Sequence, residues 1–155
     1  MIVIGYQGIG KSTLASLDYT YIDLESGNFW VDGKRADDWY KPYCQIAEDL
    51  SKQSYIVFTS SHEVVREQLK NSTEDVVVVY PAAELKDQWI EKLWSRYQTT
   101  KLEKDYKAYA NAEARFTENI RELETCDIPY KLVLTSMDYD LDEEIYNFVM
   151  REALV

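Results

Sequence analysis

A chain of 155 residues, 46 % hydrophobic and 29 % charged, has room for one domain with a sizeable core and lies outside the disordered range. No apolar run reaches the roughly 18 to 20 residues that cross a bilayer, and the MIVI run before Gly5 has no basic leader, so neither a membrane span nor a secretory signal is expected. A net charge of −11 argues against a protein built to grip long nucleic acid, but it leaves room for a small anionic ligand in a local basic pocket. Cys44 and Cys126 are too few for a disulfide framework, so free thiols in the cytoplasm are expected.

In chain order, strands are expected over residues 2–4, 19–24, 55–59, 76–80 and 131–135. YIVFT and VVVVY are continuous apolar runs, as in strands covered on both faces. Helices are expected over 11–17, 36–52, 62–70, 82–97 and 142–154, the fourth starting directly after Pro81, which favours a first helical position. A long polar helix is expected over 100–124. Its apolar residues Leu102, Tyr106, Tyr109, Phe116, Ile120 and Leu123 form one stripe, interrupted at Glu113. With 82–97 it is read as a helical hairpin, so that 82–125 forms a lid-like insertion in a single domain, 1–155. Strands alternating with helices imply βαβ units, a mainly parallel sheet and an α/β fold.

The stretch GYQGIGKST, residues 5–13, fits the pattern G-x-x-x-x-G-K-[ST], with Gly5, Gly10, Lys11 and Ser12 at the fixed places. From average composition, such a match arises by chance in roughly one chain in a few hundred of this length. Its position after an apolar run and before a helix is the context the chemistry needs. Glycines let successive amides face one concavity, and the following helix adds its positive end. Lys11 reaches the outer phosphates of a nucleoside triphosphate, most naturally ATP, and Ser12 offers a hydroxyl to Mg²⁺.

In a parallel sheet the carboxyl ends of the strands share one edge, where ligands bind. The second strand delivers Asp23 and Glu25 there. Asp23 is suited either to take a proton from an acceptor hydroxyl or to bind Mg²⁺; a turn-capping role is the plain alternative. The third strand delivers Thr59, Ser60, Ser61 and His62, with Arg66 one turn on, as candidate acceptor contacts. Ser60 or Ser61 could instead simply cap the next helix. The fourth delivers Tyr80 and Pro81, and the fifth Thr135, Ser136 and Asp138. Arg35, in the polar turn VDGKRADD, is a further acceptor candidate, with Lys34 beside it. Arg96 is the candidate to neutralise the transferred phosphoryl group, with Lys92 and Lys101 as substitutes.

These pieces resemble the P-loop kinases of the nucleoside and nucleotide kinase group. More narrowly, GYQGIGKST, YIDLESGNF, YIVFTSSHEVVREQL and VVVVYP are similar to small nucleotide kinase-like proteins of phages and prophages, some of whose relatives phosphorylate a modified pyrimidine base in DNA. The resemblance covers the chain to about residue 97. It implies a three-layer fold around a five-stranded sheet of order 2-3-1-4-5, and ATP and Mg²⁺ as cofactors. It also implies phosphate contacts from Gly5, Gln7, Gly8, Ile9, Gly10, Lys11, Ser12 and Thr13, with Asp23 at the acceptor and Arg96 in a lid. Thr59 stands where many P-loop proteins end the third strand with an aspartate for Mg²⁺, so Ser12 and Asp23 are the metal candidates. The expected function is ATP-dependent phosphoryl transfer to a nucleoside, nucleotide or related small acceptor. The alternative is a nucleotide-binding regulatory or ATPase-like switch that has no small-molecule acceptor.

Overall fold

In the computed structural model, which describes residues 1–30 and 34–154, the apolar run that opens the chain becomes the centre of the sheet. The strands are β1 (Ile2–Gly5), β2 (Tyr21–Asp23), β3 (Ile56–Thr59), β4 (Val76–Pro81) and β5 (Tyr130–Leu134), and their order in space is β2-β3-β1-β4-β5. Every pairing is parallel, so the order and direction implied by the resemblance both hold. Parallel neighbours require crossovers, and the crossing helices cover both faces. IVIG and VVVVYP are accordingly buried at every position.

The crossovers carry α1 (Lys11–Leu17), α2 (Tyr40–Lys52), α3 (Glu63–Leu69), α4 (Lys86–Thr100) and α5 (Glu103–Thr125), and α6 (Leu141–Arg151) follows β5. α2 packs on α3, β1 and β3 through Tyr43, Cys44, Ala47 and Ser51, which share one helical face. α5 packs on α4 and on β4. Its buried residues Ala112, Phe116, Ile120 and Leu123 continue the expected stripe, while the interruption near Glu113 corresponds to a kink at Arg115 (φ −138, ψ 19). Phe116, 1 % exposed, meets Tyr6 edge-on with ring centroids 5.9 Å apart, joining α5 to the residue that follows β1. Phe116→Ala is therefore expected to cost about 3–5 kcal/mol of stability, read as a lowered denaturant midpoint at constant slope.

Several expected boundaries move, each for a local reason. The second strand begins at Tyr21, not Tyr19, because the Asp18 carboxylate accepts from both the amide (2.9 Å) and the hydroxyl (2.7 Å) of Thr20 and closes a turn. Pro81 does not start a helix. It ends β4 opposite Leu134, beyond the point where β1 has stopped opposite Val79, so its missing amide costs no bond on that side. A 3₁₀ turn over Ala83–Leu85 follows, and α4 begins at Lys86. Lys101 (φ 57) ends α4 in the left-handed region, where the Thr100 hydroxyl accepts from the Leu102 amide at 3.3 Å. α2 begins at Tyr40, after a turn over 37–39, rather than at Ala36. The first residues of the expected polar turn, 31–33, lie outside the described residues. Neither Ser60 nor Ser61 caps α3. His62 occupies the cap position, and the Ser60 hydroxyl pairs with His62 Nδ1 at 2.7 Å. Both cysteines are free thiols, and no helix among the described residues is long and apolar enough to cross a membrane.

Candidate active site

The turn from β1 into α1 is shaped by its glycines. At Gly5 a Cβ would stand 2.5 Å from Ile9 Cδ1 and 2.9 Å from Lys11 Cδ, so any side chain there would push both aside. Gly8 (φ +91) and Gly10 (φ +108) adopt the left-handed conformation that only glycine enters freely. The Ile9 side chain is buried in the core, so only its backbone belongs to the loop surface.

The outer side of this turn is anchored by two aromatic donors. Trp89 Nε1 donates to the Gln7 carbonyl at 2.9 Å, and the Tyr139 hydroxyl donates to the Ile9 carbonyl at 2.7 Å. The two rings stack with centroids 6.3 Å apart, and Lys92 Nζ lies 4.4 Å from the Trp89 centroid and 3.1 Å from the Tyr139 hydroxyl. The C=O and N–H of a trans peptide point in opposite directions. Holding the Gln7 and Ile9 carbonyls outward therefore turns the amides of Gly8 and Gly10 the other way. Among the described residues, no backbone carbonyl or side chain accepts from the amides of residues 8–13. Those donors, the start of α1 and Lys11 form a positive concavity of the kind that holds a polyphosphate. Trp89→Phe keeps the ring and removes one anchor. It is expected to weaken ATP binding by the net worth of one hydrogen bond, about 0.5–1.5 kcal/mol, measurable by calorimetric titration.

A cleft of about 430 Å³ opens over the loop and gathers residues from four crossovers. Gly5, Gln7, Gly8, Lys11 and Ser12 line it, together with Asp23, Glu25, Ser61, His62, Arg66 and Arg96. Most of the residues singled out from sequence therefore share one space. Arg35 does not line it; its guanidinium lies 4.3 Å from the Trp39 ring centroid and 5.0 Å from that of Trp30. Ile9, Gly10 and Thr13 also lie off the lining, as do Thr135, Ser136 and Asp138 after β5. Lys101 stands over Tyr97, and Lys92 belongs to the outer wall of the loop.

The Lys11 ammonium donates to the Gly5 carbonyl at 2.9 Å and to the Thr59 carbonyl at 3.5 Å. Burial lowers its pKa from the ordinary lysine value, and the charges of Asp23 and Glu25 oppose that shift. For Asp23, burial raises the pKa, Lys11 opposes the rise and Glu25 adds to it. The two groups are thus close enough to sense each other electrostatically. Tyr43, fully buried on α2, fixes the strand ends that present them: its hydroxyl donates to the Leu24 carbonyl at 2.6 Å and accepts from the Ser60 amide at 2.9 Å. Burial pushes the Tyr43 phenol up to about 12, so it remains a neutral clamp.

His62 packs edge-on to Trp39. Burial and the positive charges of Arg35, Lys11 and Arg66 push its pKa down to about 4, so the ring is neutral at pH 7. Arg66, 8 % exposed, donates to the Ser61 carbonyl at 3.1 Å and pairs with Glu122 at 3.3 Å. Arg96 on α4 pairs at 3.1 Å with Asp105 on α5, a carboxylate that is 4 % exposed and also accepts from the Thr100 hydroxyl.

Sequence reasoning missed the wall contributed by α5. Lys104, Ala108, Asn111, Asn119 and Glu122 all line the cleft. Their spacing of four, three, eight and three residues is a helical stripe of its own, beside the apolar one. That stripe was legible as a pattern, but nothing in its polar composition separated a cleft wall from a solvated face. Asn119 Nδ2 donates to the Asn111 side-chain oxygen (2.8 Å) and to the Tyr6 hydroxyl (3.2 Å), and Gln7 Nε2 donates to the same Asn111 oxygen (3.1 Å). The phosphate loop and α5 are thereby joined across the cleft.

The donor set suits Mg²⁺ as well as phosphate. The ion keeps several waters and takes one or two protein oxygens beside phosphate oxygens. The exposed Ser12 hydroxyl and the Asp23 carboxylate face the same cleft and can supply them. Among the described residues, no cluster of three or more His, Cys, Asp or Glu side chains could hold a metal unaided.

An all-parallel sheet of order 2-3-1-4-5, a glycine loop leaving the central strand into a helix, and an acidic residue ending β2 together define the fold of the P-loop kinases. Among the solved structures it is similar to is the shikimate kinase from Bacteroides thetaiotaomicron, with a TM-score of 0.52 and 12 % sequence identity over 99 % of this chain and 97 % of that chain. At that identity the likeness is one of fold. No protein-family model matches the chain, and no curated protein does.

Proposed function

We propose that this protein is an ATP-dependent kinase that transfers a phosphoryl group to a nucleoside, nucleotide or related small acceptor in the cytoplasm. One observation carries the reading: the loop amides, Lys11, Ser12 and Asp23 open into a single cleft of about 430 Å³, which suits a small-molecule site. The loop amides and Lys11 hold the β- and γ-phosphates. Ser12 and Asp23 are the residues that would hold Mg²⁺, which would supply positive charge against that of the phosphates. Asp23 orients the acceptor and takes its proton where that acceptor is a hydroxyl.

Arg96 lies on the hairpin formed by α4 and α5, and residues 82–125 act as the lid of one domain. In this role Arg96 exchanges its bond with Asp105 for one with the transferred phosphoryl group. Ser61, His62, Glu25 and Arg66 shape the acceptor side, and Arg35 supports it from outside through Trp39. The narrower kinship with phage and prophage kinases rests on the sequence motifs alone.

The second reading, a nucleotide-dependent switch, is favoured by Thr59 at the end of β3 and by the engagement of Arg96 with Asp105. Incubation with Mg·ATP and a panel of nucleosides, monophosphates and modified DNA separates the two readings. Acceptor-dependent ADP release supports the kinase, whereas ATP binding with no acceptor-dependent turnover supports the switch.

A further inference from the structure

Resting on the kinase reading, we infer that the acceptor is a neutral, polyhydroxylated small molecule, phosphorylated on a hydroxyl, and that acceptors already carrying a phosphate or carboxylate are rejected. The charge arrangement inside the cleft carries this. An anionic acceptor needs cations with bonds to spare, ideally a guanidinium able to grip two oxygens at once. Among the described residues, each cation lining the cleft away from the phosphate loop is already paired with a carboxylate. Arg66 Nη2 is 3.3 Å from Glu122 Oε2, Arg96 Nε is 3.1 Å from Asp105 Oδ1, and Lys104 Nζ is 3.8 Å from Glu25 Oε1. Arg66 is also buried and spends its Nε on the Ser61 carbonyl, so it is not a mobile arm.

The carboxylates outweigh these cations. Asp23 and Glu63 line the same cleft as Glu25, Asp105 and Glu122. A second phosphate there meets negative charge on several sides. To bind, it must take a guanidinium from its partner and leave a carboxylate unpaired at the cleft wall. Neutral hydrogen-bonding groups line the same cleft: Ser60, Ser61, His62, Asn111 and Asn119. Hydroxyls and amides of this kind match the mixed donor and acceptor character of alcohol groups. The uncharged state of His62 at pH 7 agrees with this, because it adds no cation to the set.

The chemistry balances on these residues. The acceptor oxygen forms a bond to the γ-phosphorus, and the bond from that phosphorus to the β–γ bridging oxygen breaks. ADP leaves with the electron pair, and the hydroxyl proton passes to Asp23. A phosphate acceptor is already ionised and needs no base.

The test uses the whole protein with Mg·ATP and paired acceptors. Free nucleosides, and separately free sugars and polyols, are each run against their own monophosphates and, for the sugars, their acid forms. ATP binding is measured by titration in the same samples. Transfer to at least one neutral compound, with kcat/KM about 100-fold or more above that of its charged partner, is the expected result. The nucleoside and sugar arms separately identify which source supplies the hydroxyls. Equal or better transfer to the charged partners overturns this inference and leaves the kinase reading standing. ATP binding without transfer to any acceptor overturns both. Glu25→Gln and Glu122→Gln, which release Lys104 and Arg66, are expected to raise the relative kcat/KM for monophosphates about tenfold each. An unchanged ratio in both variants argues that the ion pairs do not set acceptor charge.

Discussion

Lys11→Ala abolishes phosphoryl transfer while the protein remains folded. The ammonium is the one side-chain cation set within the loop itself, held 2.9 Å from the Gly5 carbonyl where β1 ends. Removing a preorganised cation from a developing phosphoryl charge costs at least about 10²–10³ in kcat. The fold is expected to survive its loss: burial disfavours the charged amine, which offsets the hydrogen bonds to the Gly5 and Thr59 carbonyls that leave with it. Turnover by coupled ADP assay, set beside a thermal melt of the same sample, checks both halves. A variant with full turnover would remove the basis for the kinase.

Asp23→Asn lowers kcat by about 10²–10⁴, the range for a lost general base, with a much smaller loss in ATP affinity. In the proposed kinase the residue acts at the acceptor, while the loop amides and Lys11, which line the same cleft, carry most of the nucleotide binding. The pH profile provides a second check. The base works only when ionised, so kcat/KM rises with pH as Asp23 loses its proton. Burial and Glu25 raise its pKa, which places that limb above the usual aspartate value near 3.9. At the other end, activity falls as Lys11 loses its charge, below the usual lysine value near 10.4, because burial lowers its pKa. In Asp23→Asn the acid limb disappears. An acid limb of unchanged midpoint in that variant, or an unchanged kcat, would show that Asp23 is not the base.

Both experiments rest on residues that could be picked from the sequence because their positions are locally encoded. Two left-handed glycines, the strand before them and the helix after them fix where Lys11 and Ser12 emerge, all within a dozen residues. Asp23 was legible for a related reason. It is the last residue of β2, and the carboxyl ends of parallel strands share the sheet edge where ligands collect, while a strand covered on both faces reads as a run of apolar residues. The apolar blocks IVI, IVF and VVVV announced three central strands on the same grounds.

Partnerships between distant segments were not legible. The anchoring of the phosphate loop by Trp89 and Tyr139 links positions separated by 82 and 130 residues, and no pattern around either aromatic distinguishes it from an ordinary core ring. Arg66 and Arg96 were chosen as candidate phosphate contacts from their charge and position along the chain. The fold pairs them with Glu122 and Asp105, which alters what they can bind. The sequence alone settled the class of fold and the place of the glycine loop, because both follow from periodicity and from backbone conformations that only certain residues can adopt. The opposite side of the cleft was decided by tertiary structure, since its charge balance depends on which carboxylates and cations α5 brings together with the other crossovers.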